Sequence, residues 1–218
     1  MTTLDKQADL AGPGIGSYEE LEQVLPNDYQ SILNPKETQL ALWAAKEYIE
    51  KNLNKELNLI MVTVPLIVDE LSGVNDMLDR DGSRTPVEFP CGLGLPERIN
   101  AQVVQAATKW KRPALKQFGC RVGEGICTDM KAVRKDYFLD HDHSSYVDQW
   151  DWERVMTGAD RNLDFLKDVV LRIWKVLYGA GQLALEMFPQ LGEGGYDPIP
   201  EELVFIHAEE ILEMYPDL

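Results

Sequence analysis

The segment Tyr146-Val147-Asp148-Gln149-Trp150-Asp151-Trp152-Glu153 constrains this chain more than any other. Read as a strand, it puts Val147, Gln149, Asp151 and Glu153 on one face and Tyr146, Asp148, Trp150 and Trp152 on the other. The aromatic side can serve as the packed face. A row of Gln, Asp and Glu between apolar elements is costly to bury unless cations or polar ligands meet it, so this row is where a site would be built. The plainer reading is a solvated sheet face with an aromatic back.

The preceding run ends Lys131-Ala132-Val133-Arg134-Lys135, and the stretch from Asp136 to His143 is short enough to return the chain antiparallel beside it. Arg134 then faces the acidic row across a hairpin. A guanidinium binds carboxylate or phosphate in bidentate fashion, so the hairpin can hold an anion and an amine together; the structural alternative is a cross-strand salt bridge. Upstream, Thr108-Lys109-Trp110-Lys111-Arg112 gathers three cations around a tryptophan. That cluster is either a local anion trap or a solvated basic turn at a helix start. His141 and His143 have a spacing that could bind a metal, but no further Cys or His lies near them. Neither G-x-x-x-x-G-K-[ST] nor G-x-G-x-x-G occurs, so a nucleotide would be held by side chains and strands.

With 37 Asp and Glu against 21 Lys and Arg, the net charge of −16 repels a phosphate backbone, and no nucleic-acid partner is expected. The 218 residues suffice for a sizeable core. Cys91, Cys120 and Cys127 form no C-x-x-C pair and read as reduced thiols. No apolar run approaches the length of a membrane span, and Met1 to Leu10 lacks the pattern of a signal or transit peptide. A reducing, cytoplasmic location without membrane attachment is the expectation.

Residues 1–33 read as a flexible N-terminal arm. Asn34 and Pro35 start a helix that runs to about Asn54. Leu57 to Ile67, apolar on both parities, predicts a central strand. Further strands are expected at Val87 to Phe89, Ala101 to Ala106, Gly125 to Arg134, Ser144 to Met156 and Leu203 to His207. Helices are expected at Thr108 to Phe118, at Asp160 to Met187, and over a last short stretch to Tyr215.

The chain resembles the ammonia-dependent asparagine synthetases of the A type, the aspartate–ammonia ligases. The resemblance rests on Lys109-Trp110-Lys111-Arg112, Gly123-Glu124-Gly125, Met130-Lys131-Ala132-Val133-Arg134 and above all Tyr146 to Arg154. It extends through Asn34 to Leu40, Val64 to Leu78 and His207 to Leu218, covering roughly 34–218. It implies an α+β fold, an antiparallel sheet flanked by helices, like a class II aminoacyl-tRNA synthetase catalytic core lacking its C-terminal third.

The implied reaction activates the side-chain carboxylate of aspartate with ATP and magnesium, giving a β-aspartyl-adenylate that ammonia converts to asparagine. In the implied site Asp76 meets the substrate's amino group and Lys111 its carboxylates. Arg112 joins the substrate-binding set, Gln149 and Asp151 hold the aspartate, and Arg134 acts catalytically at the α-phosphate. No residue of this sequence is assigned as a metal ligand; the resemblance places the family's further metal and aspartate ligands in the third that follows the match. The family's pattern leads one to expect a His-Ser pair where Gln105 and Ala106 stand, and an acidic pair where Tyr137 and Phe138 stand. Family members continue for about another third beyond the match, so a homodimer or a partner subunit covering that third is expected. The alternative function is a non-catalytic, asparagine synthetase-like subunit or scaffold completed by a partner.

Overall fold

The computed structural model describes residues 30–78, 84–94, 97–136, 143–194 and 199–216. The expected N-terminal arm therefore lies outside the described residues except at its end, as do His141, Tyr137 and Phe138. The described chain forms two compact units, one built from residues 57–157 and the other from 31–56 with 158–218.

The first unit holds two three-stranded sheets. One contains β1 (Leu59–Met61), β5 (Gly125–Val133) and β6 (Tyr146–Arg154), with β5 in the centre. The other contains β2 (Ile67–Asp69), β3 (Glu88–Cys91) and β4 (Ile99–Val103), antiparallel throughout with β4 in the centre. Helix α2 (Thr108–Gln117) joins them. The α+β class holds, but the expectation of a wholly antiparallel sheet is corrected, because β1 runs parallel to β5 with Leu59 opposite Gly125. A parallel pair needs a long crossover, and the entire second sheet and α2 lie between these strands.

The predicted central strand from Leu57 to Ile67 is also revised. Leu57 ends the preceding helix, Asn58 turns the chain in a left-handed conformation (φ 56°), and only Leu59–Met61 pair in the first sheet. Pro65 has no N–H to give a ladder, and pairing resumes at Ile67 in the other sheet. The apolar run therefore bridges two sheets, and β1 is an edge with Ile60 and Met61 exposed. The true centre is β5, whose Ile126, Cys127, Thr128, Met130 and Ala132 are inaccessible to solvent. At Gly125 a Cβ would run into the Glu153 carbonyl and lie 2.7 Å from the Leu59 side chain, so only glycine fits between β1 and β6.

The second unit is helical: α1 (Pro35–Leu57, entering it up to Glu56), α3 (Leu163–Met187), α4 (Gln190–Glu193) and α5 (Ala208–Met214). Asn34 and Glu37 cap α1 reciprocally, each side chain accepting the other's backbone N–H at 3.0 Å. Asn162 caps α3 through Phe165 N–H at 2.9 Å. Gly179, a weak helix former, lets the Tyr48 ring lie directly against α3, and Lys175 pairs with Glu56 at 2.9 Å. The expected strand from Leu203 to His207 does not form: this unit's described residues hold no strand to pair with it. The segment is held instead by side chains, with Trp174 Nε1 donating to the Pro200 carbonyl at 3.0 Å and Lys167 lying 5.2 Å from the Phe205 ring centre. No described helix is long and apolar enough to cross a membrane.

Candidate active site

The β5–β6 hairpin forms as the spacing predicts, pairing Met130 with Gln149, Thr128 with Asp151 and Ile126 with Glu153. Residues opposite one another in an antiparallel pair share a face. Gln149, Asp151 and Glu153 therefore stand on the same side as the buried Ile126, Thr128, Met130 and Ala132. Ala107, Met130 and Ala132, with Val64 and Val147, form a small apolar core at one end of that face. This corrects the sequence reading in one respect, since the polar row lies on the packed side. The opposite side leaves Tyr146 exposed and Trp150 and Trp152 half-buried, with Lys131 bridging Asp129 and Asp148 at 2.8 Å each. That exposed bridge adds little stability.

Burial of acids on the covered face is balanced by α2. Lys111 is 1% exposed, and its ammonium donates to Asp151 Oδ1 and to the Trp152 carbonyl at 3.2 Å, with Glu153 Oε2 at 3.8 Å. A helix turns about 100° per residue, so the neighbouring cations point elsewhere. Arg112 is 70% exposed with Nε 3.8 Å from Glu153 Oε1, and Lys109 Nζ donates to the Asn75 carbonyl at 3.1 Å. The basic cluster is thus divided: Lys109 and Arg112 are exposed, and Lys111 alone is buried against the acids of the hairpin. Asp151 Oδ2 is buried and has no hydrogen-bond partner among the described residues.

Arg134 follows β5 and extends the hairpin by donating its backbone N–H to the Ser145 carbonyl at 2.8 Å. It is half-buried, with Nη2 3.5 Å from Gln149 Oε1. Asp76 is placed by a different device. The residue before α2 is Ala107, which offers no capping side chain, and Asp76 Oδ2 accepts the Lys109 N–H at 3.2 Å in its place. The structure thus brings Lys111, Asp151, Glu153 and Arg112 into one cluster and Arg134 with Gln149 into a second along the same strand. Asp76 sits at the start of the helix that carries Lys111.

Sequence reasoning did not single out Asn75, and it placed Glu153 in the polar row without giving it a role. Asn75 is buried and ties β4 to α2: its Nδ2 donates to Gln102 Oε1 and the Val103 carbonyl at 3.2 Å each, and its Oδ1 accepts the Gln105 N–H at 2.9 Å. The signal for Glu153 was already in the alternation, since it shares the face of Asp151. A shallow groove of about 200 Å³ lies elsewhere, between Asn58, Ile60, Phe118, Cys120, Glu124 and Gly125, and contains none of the predicted site residues. There burial pushes the Cys120 thiol above its ordinary pKa, helped by the Glu124 charge.

The hairpin face thus carries a buried ammonium against carboxylates, with a guanidinium and an amide farther along it. Residues 36–218 match the family described as aspartate-ammonia ligase, and the chain belongs to that family. The aspartate–ammonia ligase of Bacteroides fragilis is 43% identical over 196 residues, covering 89% of this chain and 54% of that protein. That of Bacteroides thetaiotaomicron is 42% identical over 196 residues with the same coverage, 89% and 54%. That of Clostridium perfringens is 39% identical over 194 residues, covering 89% of this chain and 55% of that protein. The chain spans about half the length of the curated relatives it matches.

Proposed function

We propose that residues 34–218 act as one asparagine synthetase A-like domain that binds aspartate for an ATP-dependent, asparagine-forming ligase. The observation that carries this reading is the Lys111–Asp151 pair, buried on the hairpin face with one carboxylate oxygen lacking a donor among the described residues. Chain membership in the family supplies the reaction. In it, a side-chain carboxylate oxygen of aspartate attacks the α-phosphorus of ATP and pyrophosphate leaves. Ammonia then attacks the acyl carbon, the bond to AMP breaks, and asparagine is released.

Each residue's role follows from its charge. Lys111, with Arg112 at the solvent side, attracts the substrate's carboxylates, and Asp76, Asp151 and the Gln149 amide orient its ammonium and side chain. Arg134, at the strand end, neutralises charge developing on the α-phosphate. The antiparallel hairpin ending in this arginine is the ground for proposing a class II synthetase-like core. ATP brings the adenylyl group as a substrate. Magnesium would come with the nucleotide, on its phosphates. A cytoplasmic homodimer, or an assembly with a partner subunit, completes the proposal.

The test is calorimetric titration of the protein with L-aspartate and with succinate, which has both carboxylates and no amine. Saturable aspartate binding, at least about tenfold tighter than succinate, is expected, because a charge-assisted hydrogen bond contributes about 1.5–3 kcal/mol. Equal binding of the two, or none, would overturn the proposal.

A further inference from the structure

We propose that Gln105 is a further substrate-binding residue, its side-chain carbonyl accepting an N–H from a nitrogen of the reaction, either aspartate's ammonium or ammonia. The inference rests on the aspartate reading above. Gln105 is 1% exposed, and its Oε1 is buried without a hydrogen-bond partner among the described residues. A buried acceptor left unmade costs stability, and an alkyl side chain of the same shape would fill the space without that cost. The buried carbonyl is therefore satisfied only when a donor arrives.

The backbone places Gln105 between two parts of the candidate site. The Gln105 N–H donates to Asn75 Oδ1 at 2.9 Å, and Asn75 immediately precedes Asp76. On the other side the Val104 carbonyl accepts the Val133 N–H at 3.3 Å, and Val133 immediately precedes Arg134. Gln105 thus lies where the Asp76 loop, the end of β5 and the start of α2 converge. A carbonyl oxygen repels carboxylate and phosphate oxygens, which leaves the nitrogen of either co-substrate as its partner.

The experiment compares wild type with Gln105→Met, which keeps the shape and removes the acceptor, and Gln105→Glu, which keeps an acceptor. Thermal midpoints are measured with L-aspartate, with succinate, and with ammonium chloride against potassium chloride in the presence of aspartate. Gln105→Met is expected to melt at or above the wild-type temperature. If aspartate is the donor, its affinity falls at least about tenfold in Gln105→Met while succinate affinity holds. If ammonia is the donor, aspartate affinity holds and the ammonium-specific shift is lost. In either case Gln105→Glu retains the response.

Unchanged aspartate and ammonium responses in Gln105→Met would mean a structural side chain or a trapped water, and would overturn this inference alone. So would a Gln105→Met protein that fails to fold, since that makes the amide a packing requirement. A wild-type protein that ignores both ligands would overturn the proposed function and this inference with it.

Discussion

Lys111 reaches across from α2 to Asp151 on β6, a cation with almost no access to water bound to a carboxylate whose second oxygen has no donor among the described residues. Each partner makes the other's burial tolerable. Removing one should therefore hurt more than removing both. Asp151→Ala is expected to destabilise the protein by about 3–5 kcal/mol in urea unfolding, and Lys111→Met with Asp151→Leu by clearly less. Equal losses would mean the two side chains do not depend on one another.

Gly125 is squeezed between Leu59 on one side and Glu153 and Arg154 on the other. The obstacles include backbone, which cannot rotate away. Gly125→Ala should cost about 1–3 kcal/mol, as overpacking does, whereas Gly158→Ala, which meets nothing within 4 Å, should change stability by about 0.5 kcal/mol or less.

Arg134 stands near Gln149 at the end of the hairpin, where the reading assigns it to phosphate and not to aspartate. Arg134→Ala should weaken ATP binding by about 10- to 150-fold and leave L-aspartate affinity within about threefold. A loss confined to aspartate would reverse the assignment.

The Cys120 thiol is raised by its burial first and by Glu124 second. A raised acid pKa disfavours the thiolate, so alkylation by iodoacetamide should rise with pH along a curve displaced above that of an ordinary thiol. Glu124→Gln should move the curve down. By linkage, the stability from this group is present below the ordinary thiol pKa and is lost as pH rises through the raised one. An alkylation curve unmoved by Glu124→Gln would remove the charge from the explanation.

The hairpin was legible because period-two alternation in Gly125–Val133 and Tyr146–Arg154 and a short connection leave few other pairings. The shared face of Gln149, Asp151 and Glu153 then followed from the alternation. Which face would be covered was not legible, because tryptophans suggest a packed side while the actual cover, α2, comes with Lys111 from elsewhere in the chain. The lysine's environment depended on a contact 40 residues distant in sequence, which local charge patterning cannot reveal. Leu57 to Ile67 misled because a continuous apolar run looks the same whether it crosses one sheet or joins two. Leu203 to His207 has strand composition, but a strand exists only where a neighbour offers a ladder.

The central claim is that the Lys111–Asp151 pair is the aspartate site, and Asp151→Asn tests it most directly. Asparagine keeps the shape and an oxygen for Lys111 while removing the negative charge offered to the substrate's ammonium. Calorimetric titration with L-aspartate should show affinity reduced by at least about tenfold in a variant that still unfolds cooperatively, with succinate affinity unchanged. Aspartate affinity equal to wild type would contradict the account.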